Sequence, residues 1–104
     1  MTMPTFSVSG LRVLVVGAAR SGVAAAHLLA RRGATVTLTD RQADIPEAAD
    51  LRAAGVRLEL GGHAVASFEG ANLVVMSPGV PLELPEVLRA RALGIPVIGE
   101  LELA

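Results

Sequence analysis

Val13-Leu14-Val15-Val16-Gly17-Ala18-Ala19-Arg20-Ser21-Gly22 is the stretch on which the fold turns. It opens with four consecutive aliphatic residues, the pattern of a strand buried on both faces of a parallel sheet. Gly17 follows at the point where the backbone must turn, and Gly22 lies five residues further on. From Ser21 the chain reads as a helix to Arg32, stopped by Gly33. A strand, a glycine turn and a helix amino terminus together make an anion site, because the free N–H groups of the first helical turn and the positive end of the helix dipole face it. A second strand, Thr35–Thr39, delivers Asp40. An acid about 20 residues beyond such a turn is where nucleotide-binding folds hold a ribose or base.

The dinucleotide fingerprint is G-x-G-x-x-G, and its middle glycine is Ala19 here. That glycine lets the backbone approach a pyrophosphate, so a methyl group narrows the approach. The residues point to a phosphate-bearing nucleotide other than NAD, with a purely structural turn as the alternative.

Composition narrows the classes further. A chain of 104 residues is expected to form one domain, residues 1–104, with one core. Phe6 and Phe68 are its only aromatic residues although 52% of the chain is hydrophobic, so the core must be aliphatic. A net charge of −1 gives no electrostatic case for nucleic acid or an acidic membrane, and base-stacking platforms are lacking. Without cysteine there are no disulfides, thiol nucleophiles or thiolate metal sites. Met1–Phe6 carries neither a basic leader nor an apolar signal core, and no apolar run approaches the roughly 20 residues of a membrane span. The expectation is a soluble cytoplasmic protein. All nine basic residues are arginine. A Walker A loop needs a lysine to reach the β- and γ-phosphates, so this chain alone is neither a P-loop ATPase nor a Schiff-base enzyme.

Three junctions share one grammar: Arg32-Gly33-Ala34-Thr35-Val36, Ala54-Gly55-Val56-Arg57-Leu58 and Leu93-Gly94-Ile95-Pro96-Val97. Each reads as a helix stopped by glycine, a short loop, then a strand. Ser9-Gly10 turns into a first strand at Arg12–Val16. Pro46 is expected to open a second helix capped by Asp44, with Glu47 and Asp50 in its first turn, ending at Gly55. Strands follow at Arg57–Leu60 and Leu73–Met76, with a turn of helix within Ala64–Glu69 between them. A third full helix starts near Pro85, carries Val87 and Leu88 inward and ends before Gly94. Pro96–Ile98 is the fifth strand, and Gly99–Ala104 reads as the start of a further element. The fold class expected is α/β, a Rossmann-like three-layer domain on a five-stranded parallel sheet of order 3-2-1-4-5. In that order Gly17–Gly22, Asp40 and Ser77-Pro78-Gly79 all fall at strand carboxyl ends beside the switch point.

Each of these residues also has a plain structural reading. Ser21 suits a phosphate-facing helix cap, or simply an N-cap beside a solvated Arg20. Asp40 suits a nucleotide contact, or an exposed acid that closes a strand. Ser77-Pro78-Gly79 suits a close-packed ligand wall, or a mere turn. His27 and His63 have no partners at metal-ligand spacing, and Glu100 and Glu102 are assigned no chemistry. With no nucleophile–base pair and no acid pair, no catalytic residue and no metal site are expected.

Val13–Gly22 with its helix, the strand ending at Asp40, Val74-Val75-Met76-Ser77-Pro78-Gly79-Val80-Pro81 and Gly94-Ile95-Pro96-Val97-Ile98-Gly99-Glu100-Leu101-Glu102-Leu103 together resemble one family. The chain is similar to the N-terminal domain of the MurD branch of the Mur ligases, which add D-glutamate to UDP-N-acetylmuramoyl-L-alanine in bacterial peptidoglycan synthesis. The resemblance implies a UDP-binding set of Gly17, Ala19, Arg20, Ser21, Gly22, Asp40, Arg41, Gln42, Ser77, Pro78 and Gly79. Within it Arg20 and Ser21 lie against the diphosphate, Asp40, Arg41 and Gln42 surround the uridine, and Ser77–Gly79 completes the pocket. It also implies that ATP and magnesium belong to a central domain outside this chain. That domain and a C-terminal domain would complete the ligase, and this fragment alone would be inert. Two other classes stand beside this one. An NAD-binding domain of an oxidoreductase fits Asp40 but not Ala19 or Ser77–Pro81, and a stand-alone nucleotide sensor needs no further domain.

Overall fold

A computed structural model of the chain describes residues 7–99. Its strands are β1 (Arg12–Val16), β2 (Thr35–Asp40), β3 (Arg57–Leu60), β4 (Leu73–Met76) and β5 (Val97–Gly99). They form one sheet of order β3-β2-β1-β4-β5 in which neighbouring strands pair in parallel. The helices are α1 (Arg20–Arg31), α2 (Ala48–Ala53), α3 (Val65–Glu69) and α4 (Pro85–Ala92). The fold class and strand order are those expected from the sequence.

The continuous apolar runs resolve into two cores because successive side chains on a strand leave on opposite faces. Val13 and Val15 of β1 join Val36 and Leu38 of β2 and Val75 of β4 beneath Val23, Ala26 and Leu29 of α1 and Leu51 of α2. Leu14 and Val16 turn the other way, onto Phe68 of α3 and Val87 and Ala90 of α4. A strand that is apolar at every position therefore needs a helix layer on each side, and this sheet has both.

The three glycine junctions are one device. After α1, Gly33 N–H donates to Ala30 O and Ala34 N–H to Leu29 O, each at 3.1 Å. Gly55 and Val56 repeat that pair on Arg52 and Leu51, and Gly94 and Ile95 repeat it on Arg91 and Ala90, all at 3.0 Å. This is the Schellman arrangement, which needs a left-handed residue after the cap. The three glycines have φ of 89°, 89° and 78°.

Several boundaries differ from the sequence reading, each for a local reason. The α1 N-cap is Ala19, without a side-chain capping bond, so Ser21 lies inside the first turn and does not cap. Asp44 does not cap α2 either. Its carboxylate accepts the neighbouring Ile45 N–H at 2.9 Å, Pro46 and Glu47 form a turn, and the helix starts at Ala48. Leu88 is 52% exposed rather than inward, because Val87 already points at the sheet and adjacent helical positions do not share a face. β5 begins after Pro96, which has no N–H for the ladder but accepts Val74 N–H at 2.9 Å. The expected element after Gly99 lies outside the described residues.

Candidate functional site

The carboxyl ends of β1, β2 and β4 meet at the switch point, and the loop after β1 is held there from two sides. Gly17 turns with φ 104°, and its N–H donates to Thr39 O at 2.8 Å. Ala18 N–H donates to Asp40 Oδ2 at 2.6 Å, and the other carboxylate oxygen accepts Gln42 N–H at 2.8 Å. Asp40 is thus a brace between the glycine loop and the segment that follows β2. On the other side, Ser77 is 4% exposed and its hydroxyl donates to Gly17 O at 3.1 Å. Ser77 N–H in turn donates to Val16 O at 3.0 Å.

Packing at this knot explains the two motif glycines. A Cβ on Gly22 would sit 2.0 Å from Gly17 O and 2.7 Å from Ser77 Oγ. A Cβ on Gly17 would come within 2.9 Å of Ser77 and Val80 side-chain atoms. Gly22 therefore lets α1 start directly over the end of β1, which aims the helix amino terminus at the loop. Ala19 is extended, with φ −64° and ψ 168°, and passes the chain into the helix, where its carbonyl takes Val23 N–H at 3.0 Å. The N–H groups ahead of Val23 have no carbonyl one turn back, which is what makes such a terminus attractive to an anion.

Arg20 and Ser21 lie exposed at the mouth of that terminus. Arg41 and Gln42 are exposed on the loop after β2, and Gln42 O accepts Gly61 N–H at 2.7 Å. Pro78 and Gly79 are exposed in a turn closed by Val80 N–H on Ser77 O at 3.1 Å. Beside them, between the ends of β4 and β5, lies a depression of about 280 Å³ lined in part by Met76, Ser77 and Pro78. The structure thus brings Gly17, Ala19, Arg20, Ser21, Gly22, Asp40 and Ser77 together around one loop, with Arg41, Gln42, Pro78 and Gly79 on the two loops that flank it. Ser77, however, points its hydroxyl into the loop backbone rather than outward.

Thr39 is a supporting residue that motif reading passed over. It is fully buried, and its hydroxyl meets Gly62 O at 3.1 Å and His63 Nδ1 at 2.9 Å. His63 also lies edge-on to Phe68, with ring centroids 6.2 Å apart. The alternation of Thr35, Thr37 and Thr39 was the available signal that one face of β2 is polar. Among the described residues no group of three His, Asp or Glu side chains could hold a metal ion, and no helix is long and apolar enough to cross a membrane.

Comparison with known proteins places this geometry in a family. Residues 11–99 match the model of the Mur ligase MurD-like N-terminal domain. The chain belongs to that family. It is 58% identical over 97 residues to the UDP-N-acetylmuramoylalanine–D-glutamate ligase of Anaeromyxobacter dehalogenans, covering 91% of this chain and 21% of the relative. The ligase of the same name from Acidobacterium capsulatum is 47% identical over 98 residues, with the same coverage. The chain thus spans about a fifth of the length of these relatives. Among solved structures, a pseudomurein peptide ligase type C from Methanothermus fervidus superposes with a TM-score of 0.77 at 21% identity, over 90% of this chain and 20% of that one. That likeness shows the fold.

Proposed function

We propose that this chain is the UDP-holding amino-terminal domain of a cytoplasmic, ATP-dependent ligase that joins D-glutamate to UDP-N-acetylmuramoyl-L-alanine. The observation that carries the reading is the family match over residues 11–99 together with identity of 58% to a ligase of that name. The local geometry supports it. The α1 amino terminus, with Arg20 and Ser21 at its mouth, suits a diphosphate. Asp40, Arg41 and Gln42 border the crevice where a uridine would lie, and Pro78 and Gly79 wall its far side. Asp40 and Ser77 act chiefly through the loop they fix, since their polar atoms are bonded to its backbone.

The chemistry of the reaction belongs to other domains of such a ligase. There the substrate carboxylate takes a phosphoryl group from ATP, and the amine of D-glutamate displaces phosphate from the acyl phosphate. The residues here do not fit ATP and magnesium, because the chain has no lysine for a phosphate loop and its described residues have no carboxylate cluster for the ion. This chain binds and orients the nucleotide end of the substrate.

Calorimetric titration of the chain with UDP-N-acetylmuramoyl-L-alanine, UDP and NADH tests the proposal. Saturable heat from the two uridine ligands and none from NADH is the expected result. Binding of NADH in preference to UDP would overturn it.

A further inference from the structure

The polar face of β2 and β3 holds a second cleft, well away from the glycine loop. In a doubly wound sheet both faces are normally covered by helices. Here α3 has five residues, and it leaves part of β1, β2 and β3 open on its side. The result is a cavity of about 270 Å³. Its floor is Thr35 and Thr37, its walls are Arg12, Arg57 and Glu59, and Ser67 of α3 hangs over it.

The hydrogen bonds here are incomplete in a particular way. Arg12 uses Nε on Gly70 O at 2.7 Å, which anchors the guanidinium and leaves its two terminal nitrogens without an acceptor among the described residues. Among the described residues, Arg57 makes no side-chain ion pair or hydrogen bond with another side chain, and the half-buried Thr37 hydroxyl has no partner. Glu59 does not neutralise either arginine; its carboxylate accepts the Ser67 hydroxyl. Register puts Arg12 beside Thr35 and Arg57 beside Thr37. Two strand spacings and a two-residue offset then separate the arginine Cα atoms by about 12 Å, a span that two arginine side chains close from opposite sides.

We propose that this cleft is a second binding site, for a small organic anion carrying carboxylate or phosphate oxygens. The arginines supply forked donors to those oxygens and Thr37 adds a hydroxyl. Glu59 sets the selectivity, since it repels a second anionic group and accepts a hydroxyl or ammonium from the same molecule. A recess roofed by α3 and free of aromatic residues suits a small molecule better than a protein surface, whose anchors are usually aromatic. The site is independent of the nucleotide reading. Four residue steps along β1 separate Arg12 from Val16, about 13 Å along the strand.

Titration of the nitrogen-15-labelled chain with inorganic phosphate and, separately, with lactate tests the site by NMR. The expected result is a saturable shift at the Thr35, Thr37, Arg57 and Ser67 amides with at least one probe, weakened about tenfold by Arg57→Gln. Arg57 is exposed on an edge strand, so this variant keeps the fold, and Thr37→Val provides a second, nearly isosteric change. Preference for one probe identifies the oxyanion as carboxylate or phosphate. Shifts confined to Gly17–Gly22, shifts that do not saturate, or equal affinity in Arg57→Gln would each overturn the proposal. So would perturbation of these amides only by a partner protein and by neither small anion.

Discussion

Both carboxylate oxygens of Asp40 are taken by backbone, one by Ala18 N–H at 2.6 Å and one by Gln42 N–H at 2.8 Å. Bonds to an ionised acceptor contribute about 1.5–3 kcal/mol each when lost without replacement. Asp40→Ala should therefore lower the urea-unfolding free energy by at least about 2 kcal/mol and speed hydrogen exchange at Ala18 and Gln42. Asp40→Asn keeps one acceptor and should lose roughly half as much. Unchanged exchange at Ala18 in the alanine variant would remove the brace. Gly22 makes a sharper case, because its added Cβ would collide with a backbone oxygen 2.0 Å away rather than with a side chain that can swing aside. Gly22→Ala should cost about 3 kcal/mol or more, whereas Gly79→Ala, with nothing within 4 Å, should stay within about 0.5 kcal/mol. Stability measurements on this pair separate close packing from mere turn chemistry. The glycines were legible in the sequence as a motif. The bonding of Asp40 and Ser77 was not, since spacing tells which strand ends meet but not which atoms do.

At the scale of the element, the helix stops were legible and the helix starts less so. A stop uses a backbone conformation that favours glycine, so Gly33, Gly55 and Gly94 announce it. A start can go uncapped by any side chain, as at Ala19, or be delayed, as when Asp44 bonds Ile45 N–H and leaves Pro46 in a turn. Gly55 has φ 89° and open space around it, so Gly55→Ala should cost only the left-handed penalty of about 1–2 kcal/mol. Gly55→Asn should cost less, and an alanine variant as stable as the parent would show that the Schellman bonds at Arg52 and Leu51 do not constrain this junction. Helix α4 gives the complementary case. Val87 is fully buried against the sheet while Leu88 is 52% exposed. Val87→Ala should cost about 2 kcal/mol and Leu88→Gln less than about 0.5 kcal/mol. Reversal of that order in denaturant titrations would put the helix on its other face.

For the whole molecule, the strand order followed from crossover handedness and from the two continuous apolar strands, which demand neighbours on both sides and helices on both faces. The same logic concealed the cleft under α3. A pattern of Thr35, Thr37 and Thr39 reads as a polar face, but only the brevity of α3 leaves its Thr35 and Thr37 end open. The order also sets where a nucleotide bound as proposed would act on stability. A ligand seated between β1 and β4 touches loops that tie three strands together, so it binds the folded chain and not the unfolded one. At ten times its dissociation constant it adds about 1.4 kcal/mol. For a chain of this length that raises the melting temperature by about 6–11 °C. UDP should give that shift, and NADH at the same concentration should give none. Arg57→Gln should leave the UDP shift intact, because Arg57 opens the edge strand β3, two strands from β1 and level with Leu14 rather than with the glycine loop. A UDP shift abolished by Arg57→Gln would mean that the two regions form one site, and the separation drawn along β1 would fail.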